Sequence, residues 1–159
     1  MDTFPGISIN YVCDKPPGTY MQTLQLNAND NQMADLIFNV EVIQPGALEL
    51  SVSELDKLHI ISSDPGACPD PYPAVTFTNT GGTPIDIELQ IFAGAWLTLA
   101  DLGDTEFTLQ PGESRQVVFI FTCTGFSPGE NNGIITVIVD NGFEETSVDI
   151  PVSVDVQDS

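Results

Sequence analysis

Apolar and polar positions alternate along most of the chain. Val148, Ile150, Val152 and Val154 alternate with Ser147, Asp149, Pro151, Ser153 and Asp155, a period of two that predicts a strand with one buried and one wet face. The same period runs through Leu36, Phe38, Val40 and Val42, through Ile85, Ile87, Leu89 and Ile91, and through Val117, Phe119, Phe121 and Cys123. No segment of comparable length carries a helical stripe.

Turn residues punctuate these runs. Asp140-Asn141-Gly142 separates Ile134–Val139 from Thr146–Val154, and Asn-Gly supplies the positive φ angles of a tight hairpin. Asn79-Thr80-Gly81-Gly82 and Gln110-Pro111-Gly112 mark two further reversals. Many short strands with regular turns predict an all-β fold, a β-sandwich.

The chain also repeats itself. Cys13 matches Cys123 at an offset of 110, Gly18 matches Gly129 at 111, and Val42 matches Val154 at 112. Ile7, Ile9, Tyr11 and Cys13 stand where Val117, Phe119, Phe121 and Cys123 stand. This pattern predicts an internal repeat: residues 1–44 hold the last three strands of a preceding copy, 45–46 form a junction, and 47–159 hold a complete unit. The chain would then be a piece of a longer tandem array.

The run VTFTNTGGTPIDIELQIFAGAWLTL, followed by LQPGESRQVVFIF, SPGENNGIITVIVDNG and the closing VDIPVSVDV, resembles the BACON domain and the related Hydin-type (ASH) immunoglobulin-like modules. Asn79-Thr80-Gly81-Gly82, Trp96-Leu97, Pro111-Gly112 and Pro128-Gly129 carry the likeness, which spans nearly all of the complete unit. The resemblance implies a seven-stranded immunoglobulin-like sandwich from multidomain bacterial surface or secreted proteins, proposed for carbohydrate or protein binding. It implies no catalytic residue.

In such a sandwich the second and fifth strands are antiparallel neighbours, which sets Cys68, before the Val75 strand, near Cys123, at the end of the Val117 strand. A disulfide between them would close a long loop and contribute roughly 4 kcal/mol on chain-entropy grounds. The alternative is two reduced, partly buried thiols. Cys13, the repeat equivalent of Cys123, is left without a partner. A bridge would favour an oxidising setting, extracellular or periplasmic.

Charge narrows the partners. Three Lys or Arg face 23 Asp or Glu, for a net charge of -20, which repels a phosphate backbone or an anionic membrane surface. Nucleic acid is close to excluded. No stretch approaches the roughly 20 apolar residues of a membrane-spanning helix, and Met1–Gly6 shows no signal-peptide pattern.

Chemistry is sparse. His59 is the single histidine, and no serine lies in a nucleophile-elbow motif, so the residues point to no enzyme, no cofactor and no catalytic site. Carboxylate pairs exist in number, yet nothing singles one out. The loops Asn27–Gln32 and Asp64–Pro71 offer oxygen donors for calcium, but the first lacks the glycine and closing glutamate of an EF-hand. No metal site is assigned.

Two readings of function remain. One is a non-catalytic extracellular spacer and interaction module. The other is a carbohydrate-binding module, which needs an exposed aromatic platform, with Phe92 and Trp96 the candidate binding residues and Tyr72, Phe126 and Phe143 in reserve. Trp96 has a second reading as a plug at one end of the core. The partial unit, unable to close its own sandwich, predicts either coverage by the complete unit or a homodimer through residues 1–44.

Overall fold

Segments with a period of two bury one face only when another layer lies across it, and the chain supplies those layers in unequal measure. The computed structural model describes residues 14–27, 33–61, 73–122 and 126–157. The chain divides into two compact units, 1–44 and 45–159.

In the first unit β1 (Gly18–Asn27) and β2 (Met33–Val42) form an antiparallel ladder from Gly18 opposite Val42 to Asn27 opposite Met33. Facing residues share a side, so Tyr20, Leu24, Leu26, Leu36, Phe38, Val40 and Val42 fall on one face.

The second unit runs β3 (Leu48–Leu50), β4 (Leu55–Ile61), β5 (Ala74–Asn79), β6 (Ile85–Phe92), β7 (Leu97–Leu99), a 3-10 turn at Leu102–Asp104, β8 (Glu106–Leu109), β9 (Ser114–Phe121), β10 (Gly129–Asp140) and β11 (Glu145–Gln157). Two sheets form, of order β4-β11-β10-β6-β8 and β3-β5-β9-β7. All pairings are antiparallel except β4 with β11. Between β3 and β4 the chain therefore passes from the edge of one sheet to the edge of the other. This unit is an immunoglobulin-like β-sandwich, as its residues predict.

The core lies between the sheets. Val75, Phe77, Val117, Phe119 and Phe121 from one layer meet Ile85, Ile87, Ile135, Val137, Ile150, Val152 and Val154 from the other, all buried. Each such side chain contributes about 1.5–3 kcal/mol by leaving water. The Phe77 and Phe107 rings meet in a T-shaped contact, at 5.6 Å and 90°, a geometry aromatic quadrupoles favour.

Asn79 ties one end of the core. It is fully buried, and its Oδ1 accepts from the N–H groups of Ala47 (3.3 Å) and Gly81 (2.9 Å). Its Nδ2 donates to the carbonyls of Thr83 (2.8 Å) and Leu109 (3.0 Å). One side chain thus satisfies four backbone groups that burial would otherwise leave unpaired.

Two sequence expectations are revised. Val148, expected inside, is 41% exposed; it lies beyond the filled core, beside half-buried Leu48, Leu50 and Val52. The Asp140-Asn141-Gly142 turn is a four-residue loop, Asn141–Glu144, because Asp140 pairs with Glu145. Asn141 Oδ1 accepts from the N–H groups of Phe143 and Glu144, and Gly142 takes φ +82°. Gly81 meets its expected role at a reversal by having no Cβ: one there would lie 2.2 Å from the Pro45 carbonyl and 2.5 Å from the Ala47 nitrogen.

The ladders also revise the repeat correspondence. With Gly18 set on Gly129, Val42 falls on Val156, since Gly18 pairs with Val42 and Gly129 with Val156. The match to Val154 is two residues short, a shift that leaves every side chain on the same face.

Candidate functional site

Strand parity places one of the two proposed binding residues, Phe92, and a turn before β7 places the other, Trp96. Phe92 ends β6 on the outer face of the five-stranded sheet and is 60% exposed. Across the ladders it lies opposite Ile134, which lies opposite Pro151, so an exposed apolar row crosses three strands. Trp96 is in the core, at 4% exposure. It stacks on Phe121 (5.9 Å, 17°) and meets Phe126 at a tilt (5.2 Å, 33°).

Trp96 therefore does not form a binding platform: its indole is spent on closing one end of the sandwich. Small residues make that possible. A Cβ on Gly94 would lie 2.6 Å from the Trp96 Cδ1, and one on Gly133 would lie 2.8 Å from the Ala93 Cβ and 3.2 Å from the indole. Phe143, 66% exposed, follows the far end of β10 from the Phe92 row, separated by about 20 Å of strand. Among the described residues, no line of exposed rings forms. Tyr72, Cys13, Cys68, Cys123 and the Asp64–Pro71 loop lie outside the described residues, as does the centre of the Asn27–Gln32 loop.

Below the apolar row the outer face turns acidic. Gln90, Thr136 and Asp149 form the next row, then Glu106, Glu88, Ile138 and Ser147, then Thr108, Asp86, Asp140 and Glu145. Five carboxylates in the last two rows line one shallow groove. No basic residue enters these rows, and like charges directly opposite one another cost stability. Thr108 and Thr136 donate to Asp86 and Asp149 respectively. No group of three His, Cys, Asp or Glu among the described residues is arranged to hold a metal.

Arg115, one of three basic residues in the chain, serves the frame. Its Nε and Nη2 donate to Asp104 Oδ1 at 2.9 and 2.6 Å, and its guanidinium sits 4.8 Å from the Phe107 ring centre. The sequence carried one signal for this role, the scarcity of positive charge.

The first unit presents a different surface. Of the ten ladder positions on the apolar face of β1–β2 (Gly18, Tyr20, Gln22, Leu24, Leu26 and Ala34, Leu36, Phe38, Val40, Val42), none is Asp, Glu, Lys, Arg or His. Leu24 is 39% and Leu36 42% exposed, and Leu26, Phe38, Val40 and Val42 are half-buried. Charge is confined to the opposite face, at Asp35 and Glu41. Among the described residues, no helix is long and apolar enough to cross a membrane.

No family model and no curated protein matches the sequence. Solved structures do match in fold. The periplasmic chaperone SfaE is similar at TM-score 0.52 and 12% identity over 70% of this chain and 58% of its own. The E. coli chaperone DraB is similar at 0.51 and 15%, over 70% and 56%. The Acinetobacter baumannii CsuC–CsuE chaperone–tip adhesion subunit pre-assembly complex also matches, at 0.51 and 11%, over 70% and 52%. The chain thus spans just over half the length of the chaperone chains it matches. The ASH/PapD-like domain 7 of human CEP192 is similar at 0.53 and 12%, over 70% of this chain and 86% of that one. At these identities the likeness is one of fold: an immunoglobulin-like sandwich of the kind seen in PapD-like and ASH domains.

Proposed function

We propose that this chain is a non-catalytic interaction and spacing module of a surface or secreted protein, extracellular or periplasmic, built from immunoglobulin-like units in tandem. The observation that carries the reading is the uncharged apolar face of β1–β2 on a chain of net charge -20. Soluble proteins keep such faces for partners. In the 45–159 unit the polar side chains bound to backbone hold its turns and ends, as Asn79, Asp101, Asn131 and Asn141 do. One structure similar in fold is a chaperone–tip adhesion subunit pre-assembly complex, which supports a protein partner over a small substrate. Association of residues 1–44 with a second chain belongs to this proposal.

Among the described residues the carbohydrate-binding reading rests on Phe92, since Trp96 is buried and the exposed Phe143 follows the far end of β10. One ring is a weak platform for a sugar. A glycan array probed with the full chain tests the choice: no saturable binding is expected. Micromolar binding to a glycan, lost in Phe92→Ala, would replace the interaction module with a carbohydrate-binding one.

A further inference from the structure

The chain holds two Asn-Gly steps, Asn132-Gly133 and Asn141-Gly142, and the fold treats them in opposite ways. An asparagine followed by glycine can cyclise, because the next backbone nitrogen reaches the carboxamide carbon and glycine has no Cβ to obstruct the ring. Asn132-Gly133 is held in the β10–β11 ladder, opposite Ser153 and Val152. Gly133 is buried, and a Cβ there would lie 2.8 Å from the Ala93 Cβ, so its backbone has no room to turn onto the Asn132 carboxamide.

Asn141-Gly142 stands in the loop beyond that ladder. Gly142 is exposed at φ +82°, with nothing within 4 Å of where a Cβ would stand. Three sets of contacts converge on the atoms that would react. The Gly142 N–H donates to Asp140 Oδ1 at 2.8 Å, within the reach of a general base. Asn141 Oδ1 accepts from the N–H groups of Phe143 and Glu144, each at 3.0 Å, which polarises Cγ and supplies the paired donors that a developing oxyanion requires. Asn141 Nδ2 is held by the longest of these bonds, to the Gly46 carbonyl at 3.3 Å.

We propose that Asn141 is a self-modification site, at which the folded loop promotes its own deamidation. The Gly142 nitrogen bonds to the Asn141 Cγ and passes its proton to the Asp140 carboxylate. The oxyanion so formed stands between the Phe143 and Glu144 N–H groups. It collapses by breaking the Cγ–Nδ2 bond, and ammonia leaves with the proton that Asp140 returns. Water then opens the cyclic imide at one carbonyl or the other, leaving aspartate or isoaspartate at position 141. One water is consumed and one ammonia released, and nothing is oxidised or reduced. Either product sets a carboxylate where the Asn141 amide faced the Gly46 carbonyl, and Gly46 is buried, its own N–H given to Thr83 Oγ1 at 2.7 Å. The segment that opens the 45–159 unit thus loses a tie, at a rate set by the loop itself. Every atom used belongs to that unit, so the site stands apart from the interaction reading above.

Incubation of the full chain near neutral pH in heavy-oxygen water, followed by peptide mapping with isoaspartate detection, tests this against a synthetic peptide of residues 137–146. Asn141 should take up heavy oxygen and yield isoaspartate about tenfold faster in the full chain than in the peptide, a modest part of what a positioned base and oxyanion donors supply in enzymes. Asn132 should stay unmodified. Asp140→Asn keeps a carbonyl acceptor for the Gly142 N–H but no base, and should bring Asn141 back to the rate of the peptide. Unchanged near-ultraviolet circular dichroism of Trp96 reports that this variant is folded. Modification of Asn141 no faster in the full chain than in the peptide, an unchanged rate in folded Asp140→Asn, or modification of Asn132 ahead of Asn141 would each overturn the proposal.

Discussion

Trp96 shows how far one residue can be read before its surroundings are known. Its sequence neighbours Gly94, Ala95 and Leu97 favour a core plug, and the structure places it there. Gly133 carries no such signal: it lies 37 residues further along the chain, on β10, and only the sheet packing brings its missing Cβ to the indole. Gly133→Ala should destabilise the unit by about 1–3 kcal/mol, the range for overfilling a packed site. Urea unfolding followed by Trp96 fluorescence measures it; an unchanged midpoint would show that the indole has room to move. Asn79 has the same character. Its place before Thr80-Gly81-Gly82 marks a turn, whereas its four bonds join segments 30 or more residues apart as well as its neighbours.

Strand patterns were legible where a period of two coincided with burial, as in β6, β9 and the middle of β11. They misled at Val148, because alternation records which face a side chain takes and not where the opposing layer stops. The β10–β11 loop length was hidden for a related reason: Asn-Gly suits a two-residue turn, but the pairing of Asp140 with Glu145 leaves four residues between the strands. The acidic rows of the outer face were not legible at all, since their members come from four strands. Asp140 stands between Asp86 and Glu145. Asp140→Asn should therefore raise stability by about 0.2–1 kcal/mol at low ionic strength. The gain should fade as added salt shortens the Debye length to about 3 Å near 1 M. Unfolding midpoints at both salt levels test this, and a loss of stability at low salt would mean that the Asp140 carboxylate, which accepts from the Gly142 N–H, matters more to the loop than its repulsion costs.

At the scale of the whole molecule, charge and apolar surface are segregated. The 45–159 unit carries most of the acids and a closed core, and the hairpin carries a partly exposed apolar face with its charges turned away. The similarity of the hairpins was visible in the sequence, but its register was not: the offset is 111 for β1 on β10 and 114 for β2 on β11, and only the ladders fix it. The central proposal is that the hairpin face is an interaction surface that associates with a second chain. Amide hydrogen exchange on the full chain, at two concentrations spanning the dimer transition, tests it most directly. The account predicts that β1–β2 amides lose protection on dilution while those of β10–β11 keep theirs; hairpin protection that is the same at both concentrations would contradict it.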